Sequence, residues 1–507
     1  MTTATFPSFG HPTDRRSGLW MALPARYPVA VVLGLTLLLA LLVRAPYVGG
    51  DGDEYHYLIA ARCAAEHGAC LPLDHWGRRY PIVLPVAAAL HMFGEGQGSP
   101  MLAPLAYALA AAGLFTVLVQ RQFGRAEALF AGIALAVTPA FAARVPELNI
   151  DIPELAFVLA ALLFLQIAVR RGRIGWVIGC GVMLGLAVQA RPTSLVLLPI
   201  LVGALLLLKR AGWTMPLMAG VAFPNLIEAA VYWVQAGDAL LPWRLSLAHN
   251  AVPSSALLPG VDTHRSPLFN PAYIAGWNRA QNVHVHWLVD GLLNVLVDPA
   301  IALTLLCAAI FIARDWRRLR REPVLLAGIG GAASLFGGLT YGFAINPEAR
   351  MFLPALAVAC ACFGVLAARS LPGGRLLVGV ALVLLVGKGL IGAYDRTDLT
   401  PAAITAPLWV AGQQDVVVEP RTGRFLALLP AIEALPRYAG GPAQRLLLLG
   451  QGNCGKAMRE TGIFGWRTLQ AASIAAPDPA PVAALRRAHL FLGPPVQPVL
   501  CLLRPAG

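Results

Sequence analysis

About eleven stretches of roughly 15–22 mostly apolar residues follow one another along this chain, and short arginine-bearing loops separate them. A helix of about 20 apolar residues matches the hydrocarbon thickness of a bilayer. The pattern therefore calls for lipid as solvent. Composition agrees: hydrophobic residues make up 57% of the 507 positions and charged residues 13%, about half the charged share of a soluble domain. The expected spans are Pro28–Val43, Met101–Val119, Ala126–Ala143, Ile152–Val169, Ile174–Val188, Ser194–Leu208, Trp213–Val234, Leu292–Ala313, Val324–Ile345, Met351–Ala368 and Leu376–Ala393.

Basic residues in alternate loops test this reading, because cytoplasmic loops collect Lys and Arg. One set of loops holds Arg15, Arg16 and Arg26; Arg121 and Arg125; Arg170, Arg171 and Arg173; Lys209 and Arg210; Arg314 to Arg321; and Arg369 with Arg375. The other set is long or acidic. The expectation is a bacterial inner-membrane protein with a cytoplasmic N-terminus and a periplasmic C-terminus. The net charge of +13 lies mostly in these loops, which argues against nucleic acid as a partner. No small-residue cleavage site follows the first apolar run, so it reads as a retained helix.

The expected fold class is an all-α, multi-pass transmembrane body over 1–393, followed by a small α/β extracytoplasmic domain over 394–507. Two outer loops, 44–100 and 235–291, belong to the first part. Within the first of them, Ile82–Phe93 is apolar but short and fits an interfacial helix. The tail turns strand-like at Val416–Val418 and Leu446–Leu449 and is long enough for a core of its own. Cys63, Cys70, Cys454 and Cys501 fall on the outer side, where the pairings Cys63 with Cys70 and Cys454 with Cys501 are open to them. Cys180, Cys307, Cys360 and Cys362 fall in spans, as small packing residues.

Chemistry concentrates in the first outer loop. Asp51, Asp53 and Glu54 put three carboxylates at the membrane surface, ahead of an amphipathic helix through Tyr55, Leu58, Ile59 and Arg62. A helix cap needs only one acid. Asp151, between Glu147 and Glu154, is a second acidic position at the outer end of the fourth span, and with Pro153 just inside the helix it also suits a cap. If the two acidic sites converge, they supply a base and an orienting partner. Outer arginines are few: Arg78, Arg79, Arg244, Arg265, Arg279 and Arg350, with Arg191 on the same face. A guanidinium grips phosphate oxygens in pairs. Tyr55, Tyr57, Arg244 and His249 are candidates to hold substrate. Metal binding at His284 and His286 would need further ligands; a divalent metal stays open but is not supported by the ligand spacing, and no other cofactor is read from the chain. Glu228 and Lys388 lie inside spans, where ionisable groups need partners.

The order of these elements resembles the GT-C membrane glycosyltransferases, in particular the bacterial branch related to protein O-mannosyltransferases and aminoarabinose transferases. It is carried by DEYHY, GRRYP, HMFGEG, RQFGR, IDIP, ARPTSLVLLP and EARMFLPAL, over roughly the first 370 residues. The resemblance implies a polyprenyl-phosphate-linked sugar as donor, a lipid, glycan or protein acceptor at the outer face, and inversion at the anomeric carbon. It assigns Asp53, Glu54 and Asp151 to catalysis and Arg78 or Arg79, with Arg350, to the donor phosphate. RRYPIVLP departs from the family's usual basic-proline run, which leaves Arg78 and Arg79 as alternatives. A transporter or lipid flippase is the rival reading, since Glu228 and Lys388 would line a path.

Overall fold

The computed structural model describes residues 26–42, 53–95, 98–248, 299–319, 323–339, 349–369, 378–387, 400–440, 445–473 and 498–506, apart from a few isolated positions. Asp51, His249, Arg265, Arg279, His284, His286 and Lys388 lie outside the described residues.

Each expected span holds a helix. They are α1 (Pro28–Leu42), α4 (Leu102–Gln122), α5 (Arg125–Val137), α6 (Asp151–Arg171), α7 (Gly175–Ala190), α8 (Leu198–Leu207), α9 (Thr214–Ala236), α11 (Pro299–Leu319), α12 (Pro323–Gly337), α13 (Leu353–Arg369) and α14 (Val378–Gly387). Four helical segments among the described residues are long and apolar enough to cross a membrane: 99–122, 151–171, 211–236 and 350–369. Between the spans lie α2 (Asp53–His67), α3 (Tyr80–Phe93) and α10 (Leu241–Ala248). Apolar residues on all sides of these helices, such as Phe223, Ile227 and Val234 on α9, stay exposed. A soluble protein would bury such faces; a lipid-facing one leaves them outward.

Helix packing in lipid relies on close backbone approach rather than on water exclusion. On α7 and α9 small residues recur every four positions. A Cβ at Gly181 would stand 2.2 Å from the carbonyl of Leu217, and one at Gly220 would stand 2.4 Å from that of Ile178. The stripe Gly181, Gly185, Gln189 therefore rides against Gly220, Pro224, Glu228. One turn beyond the close contact, two polar side chains are forced together, and Gln189 Nε2 reaches both the Pro224 carbonyl at 2.8 Å and Glu228 Oε2 at 3.5 Å.

After α15 (Thr400–Val410) the chain forms a four-stranded sheet of β1 (Val416–Val418), β2 (Arg445–Gln451), β3 (Trp466–Ser473) and β4 (Pro498–Pro505), in the order β1-β2-β4-β3. The β1–β2 pair is parallel and the other two are antiparallel. Strand periodicity sorts its residues to two faces. Leu446, Leu448, Val499, Cys501 and Leu503 pack with Cys454 and Ala457 of α16 (Cys454–Glu460). Leu447, Leu500 and Leu502 instead join Tyr57, Leu58 and Ala61 of α2 and Ile82, Val83 and Val86 of α3. The first face forms a core within the tail, as expected, and the other face shares its core with the first outer loop.

Both outer cysteine pairs are bonded, Cys63 to Cys70 and Cys454 to Cys501. The other four cysteines are free and buried.

Candidate active site

The two acidic positions come together around the head of α2. Tyr57 is fully buried, and its hydroxyl has no hydrogen-bond partner among the described residues. Burial raises its pKa, and the charges that act on it are Arg79, Asp53, Asp151 and Arg191. Glu54 feels Glu147 and Asp53, and Arg144 feels Glu147, Asp151 and Glu54. Carboxylates that the sequence separates by almost a hundred positions therefore share one electrostatic neighbourhood.

Asp53 opens α2 and accepts from Trp76 Nε1 at 2.8 Å. Burial, then Glu147, holds the Glu54 carboxyl above the usual carboxylate range. Glu147 itself pairs with Arg144. The cap expected of Asp151 is supplied by Asn149, whose Oδ1 accepts from the Ile152 N–H at 3.0 Å. Asp151 is 3% exposed and takes Arg191 Nη1 at 2.8 Å instead.

Arg191, which the sequence reading placed on the outer face without a role, joins the acidic cluster. Pro192 excludes the helical conformation at the residue before it, and Arg191 is extended with φ −147° and ψ 110°. That break turns its guanidinium inward, to Asp151, to Glu154 at 3.2 Å, and through Glu154 to Ser194 Oγ at 2.5 Å. Burial works against its charge, but Asp151 and Glu154 outweigh this and raise its pKa. An arginine just before a proline, two helices from an inward acid, was the available signal.

The neighbours Arg78 and Arg79 part company. Arg78 is 1% exposed; its Nε faces Glu228 Oε1 at 3.5 Å, and its Nη1 donates to the Pro242 carbonyl at 2.5 Å and Ser246 Oγ at 2.7 Å. Burial lowers its pKa despite Glu228. This supplies the partner that Glu228 needed, and it ties α10 to α9. The Arg78 guanidinium is thus engaged inside the protein through Nε and Nη1, while its Nη2 has no hydrogen-bond partner among the described residues. Arg79 is half-buried and held only by the carbonyls of His75 and Ala190, at 3.4 and 3.3 Å. Among the described residues no carboxylate lies within ion-pair distance of it.

Arg350 sits in a 3-10 turn, Ala349–Phe352, packed against Pro139–Ala142, the segment that leads into Arg144. Arg244 is exposed and paired with Asp238, away from this cluster. Beside the cluster opens a cavity of about 680 Å³ between α2, α3, α7 and α9. Ile59, Val83, Leu186 and Ile227 give it apolar walls; Tyr55, His56, Asp74, Tyr80, Gln189 and Glu228 are its polar points. Cys63, His67 and Cys70 lie close together at its edge, but the disulfide consumes both thiolates that a metal would need.

This fold is shared with structures already solved. ArnT from Cupriavidus metallidurans, in the apo state, matches with a TM-score of 0.51 at 14% identity, over 94% of this chain and 98% of that one. The chain has the GT-C fold. The same ArnT bound to undecaprenyl phosphate gives 0.51 at 13% identity, over 94% and 97%. The Archaeoglobus fulgidus oligosaccharyltransferase in its apo form gives a TM-score of 0.54 at 14% identity, over 82% of this chain and 65% of that one. Residues 81–233 match the family model described as dolichyl-phosphate-mannose-protein mannosyltransferase. No curated protein sequence matches the chain. Within the GT-C frame that family match runs from Pro81, just after Arg79, to the end of α9, and so takes in Asp151, Arg191 and Glu228.

Proposed function

We propose that this protein is an integral membrane glycosyltransferase that moves a sugar from a polyprenyl-phosphate donor to a lipid, glycan or protein acceptor on the periplasmic face, with inversion. The observation that carries the reading is the convergence of Asp53, Glu54, Arg79 and the Asp151–Arg191 pair beside a large apolar cavity, in a chain with the GT-C fold. A polyprenyl group suits the apolar walls. Its phosphate is a good leaving group already, so the protein's main task is to stabilise the charge that builds as it departs. Arg79, with no carboxylate to neutralise it, is the cation best placed for that, with Arg350 as a second. Asp53 and Glu54 face the acceptor, and attack from their side displaces the phosphate in one inverting step.

The periplasmic assignment is supported by the two disulfides, which persist in oxidising compartments. They lie in the first outer loop and the tail, and the shared core puts these on one side. Eleven crossings and the boundary at 393/394 belong to the same reading. The transporter alternative is the weaker reading, since Glu228, which lines the cavity, is also paired with Arg78.

The test is transfer of radiolabelled sugar from polyprenyl-phosphate donors by the purified full chain. Asp53→Asn is expected to abolish transfer and Arg79→Ala to lower it by about 10²–10³-fold, both with insertion intact. Wild-type rates in both variants would overturn the site. Mass spectrometry of lipids, glycans and secreted proteins from a deletion strain names the acceptor class.

A further inference from the structure

His56 lies on α2 between the acidic residues and the apolar cavity, and the structure gives it an orienting carboxylate. Its Nδ1 stands 2.6 Å from Asp74 Oδ2. The other oxygen of Asp74 accepts from the Trp76 and Gly77 backbone N–H groups at 3.0 and 2.8 Å. A carboxylate accepts, so the contact between Asp74 Oδ2 and His56 Nδ1 assigns the proton to Nδ1. A neutral imidazole with its proton on Nδ1 leaves Nε2 as a lone-pair acceptor. The ring is further held by stacking on Trp76, with centroids 4.1 Å apart, and the Trp76 indole N–H is donated to Asp53. His56 and Asp74 both line the cavity. The other ionisable groups on that wall are Tyr55, Tyr80 and Glu228.

We propose that His56, oriented by Asp74, is the general base of the reaction and that Asp53 positions the acceptor. Resting on the glycosyl-transfer reading above, the step is balanced. The acceptor O–H proton passes to His56 Nε2, the acceptor oxygen bonds to the anomeric carbon, and the bond from that carbon to the phosphate oxygen breaks with its electron pair leaving on polyprenyl phosphate. The role falls to His56 rather than Asp53 because the Asp53 carboxylate already accepts from Trp76, whereas among the described residues no side chain hydrogen-bonds the ring nitrogen facing away from Asp74.

The experiment uses the purified full chain. With ¹⁵N-labelled histidine, the His56 signals are assigned by difference against His56→Asn, whose amide keeps a donor for Asp74. A protonated Nδ1 and bare Nε2 are expected near neutral pH, with that preference lost in Asp74→Asn. In parallel, polyprenyl-phosphate-linked mannose and aminoarabinose are supplied as donors, and transfer plus release of free sugar to water is counted. His56→Asn is expected to lower kcat by about 10²–10⁴-fold, to leave donor KM and the thermal midpoint unchanged, and to lose the acidic limb of the pH profile. An Nε2–H tautomer, or a His56→Asn chain with wild-type kcat and pH profile, overturns the assignment. Inactivity of the wild type toward both donors with the tautomer as expected overturns the glycosyl-transfer reading instead.

Discussion

Arg191 donates to Asp151 at 2.8 Å across two helices, and both side chains are buried. Glu154 takes the same guanidinium nitrogen at 3.2 Å. A buried pair is favourable only while each charge keeps its partner. Arg191→Ala should therefore cost about 3–5 kcal/mol by stranding two carboxylates. Arg191→Gln combined with Asp151→Asn should cost less than the two single changes added together. Thermal or denaturant unfolding in detergent measures both, and simple additivity would remove the pair from the account.

The adjacent arginines should fail in different ways. Arg79→Ala is expected to lower kcat/KM for the lipid-linked donor by about 10²–10³-fold with the unfolding midpoint unchanged, as befits a charge used when the leaving group departs. Arg78→Ala leaves Glu228 buried and unpaired and should destabilise by about 3 kcal/mol or more. Glu228→Gln in the Arg78→Ala background should restore part of that. The same stability for both single variants would contradict the division.

Glu54 makes the fold lose stability as pH rises from the acid range. Burial and Glu147 raise its carboxyl above the ordinary value of 4.5, so the folded chain holds this proton more tightly than the unfolded one. The stability it contributes is full below the unfolded value and is lost as pH rises through the raised folded value. Glu54→Gln should then match the wild type near pH 4 and exceed it at pH 7. Unfolding midpoints across that range decide the matter, and a gap that widens on acidification would reverse the sign.

The disulfides should contribute unequally. Cys454 and Cys501 are 47 positions apart and Cys63 and Cys70 only 7. Loop-closure entropy assigns about 4 kcal/mol to the first and about 2.5 to the second. Cys501→Ser also strikes a strand whose residues 500 and 502 face α2 and α3. It should lower transfer as well as stability, whereas exposed Phe464 replaced by Ser should change neither.

Residues whose meaning depends on a local repeat were legible in the chain. Apolar runs of bilayer length and the alternation of arginines marked where helices form, and each of those runs holds a helix. DEYHY announced α2 because acids favour a helix N-terminus. Val416–Val418 and Leu446–Leu449 announced strands because alternate residues meet opposite faces.

Pair relationships were not legible, because no periodicity links partners that are far apart in sequence. Nothing along the chain says that Arg78 meets Glu228, that Arg191 rather than solvent receives Asp151, or that Asp74 orients His56. Those meetings depend on how closely α7 and α9 approach through Gly181 and Gly220, on the break that Pro192 imposes, and on a sheet that packs against the first outer loop. The chain's own residues specify lipid as solvent, the helices and the acidic head of α2, because hydropathy, propensity and capping act over one or two turns. Which carboxylate is paired and which arginine is left for a phosphate depends on side-chain packing between helices, where burial and distance set the strength of every charge.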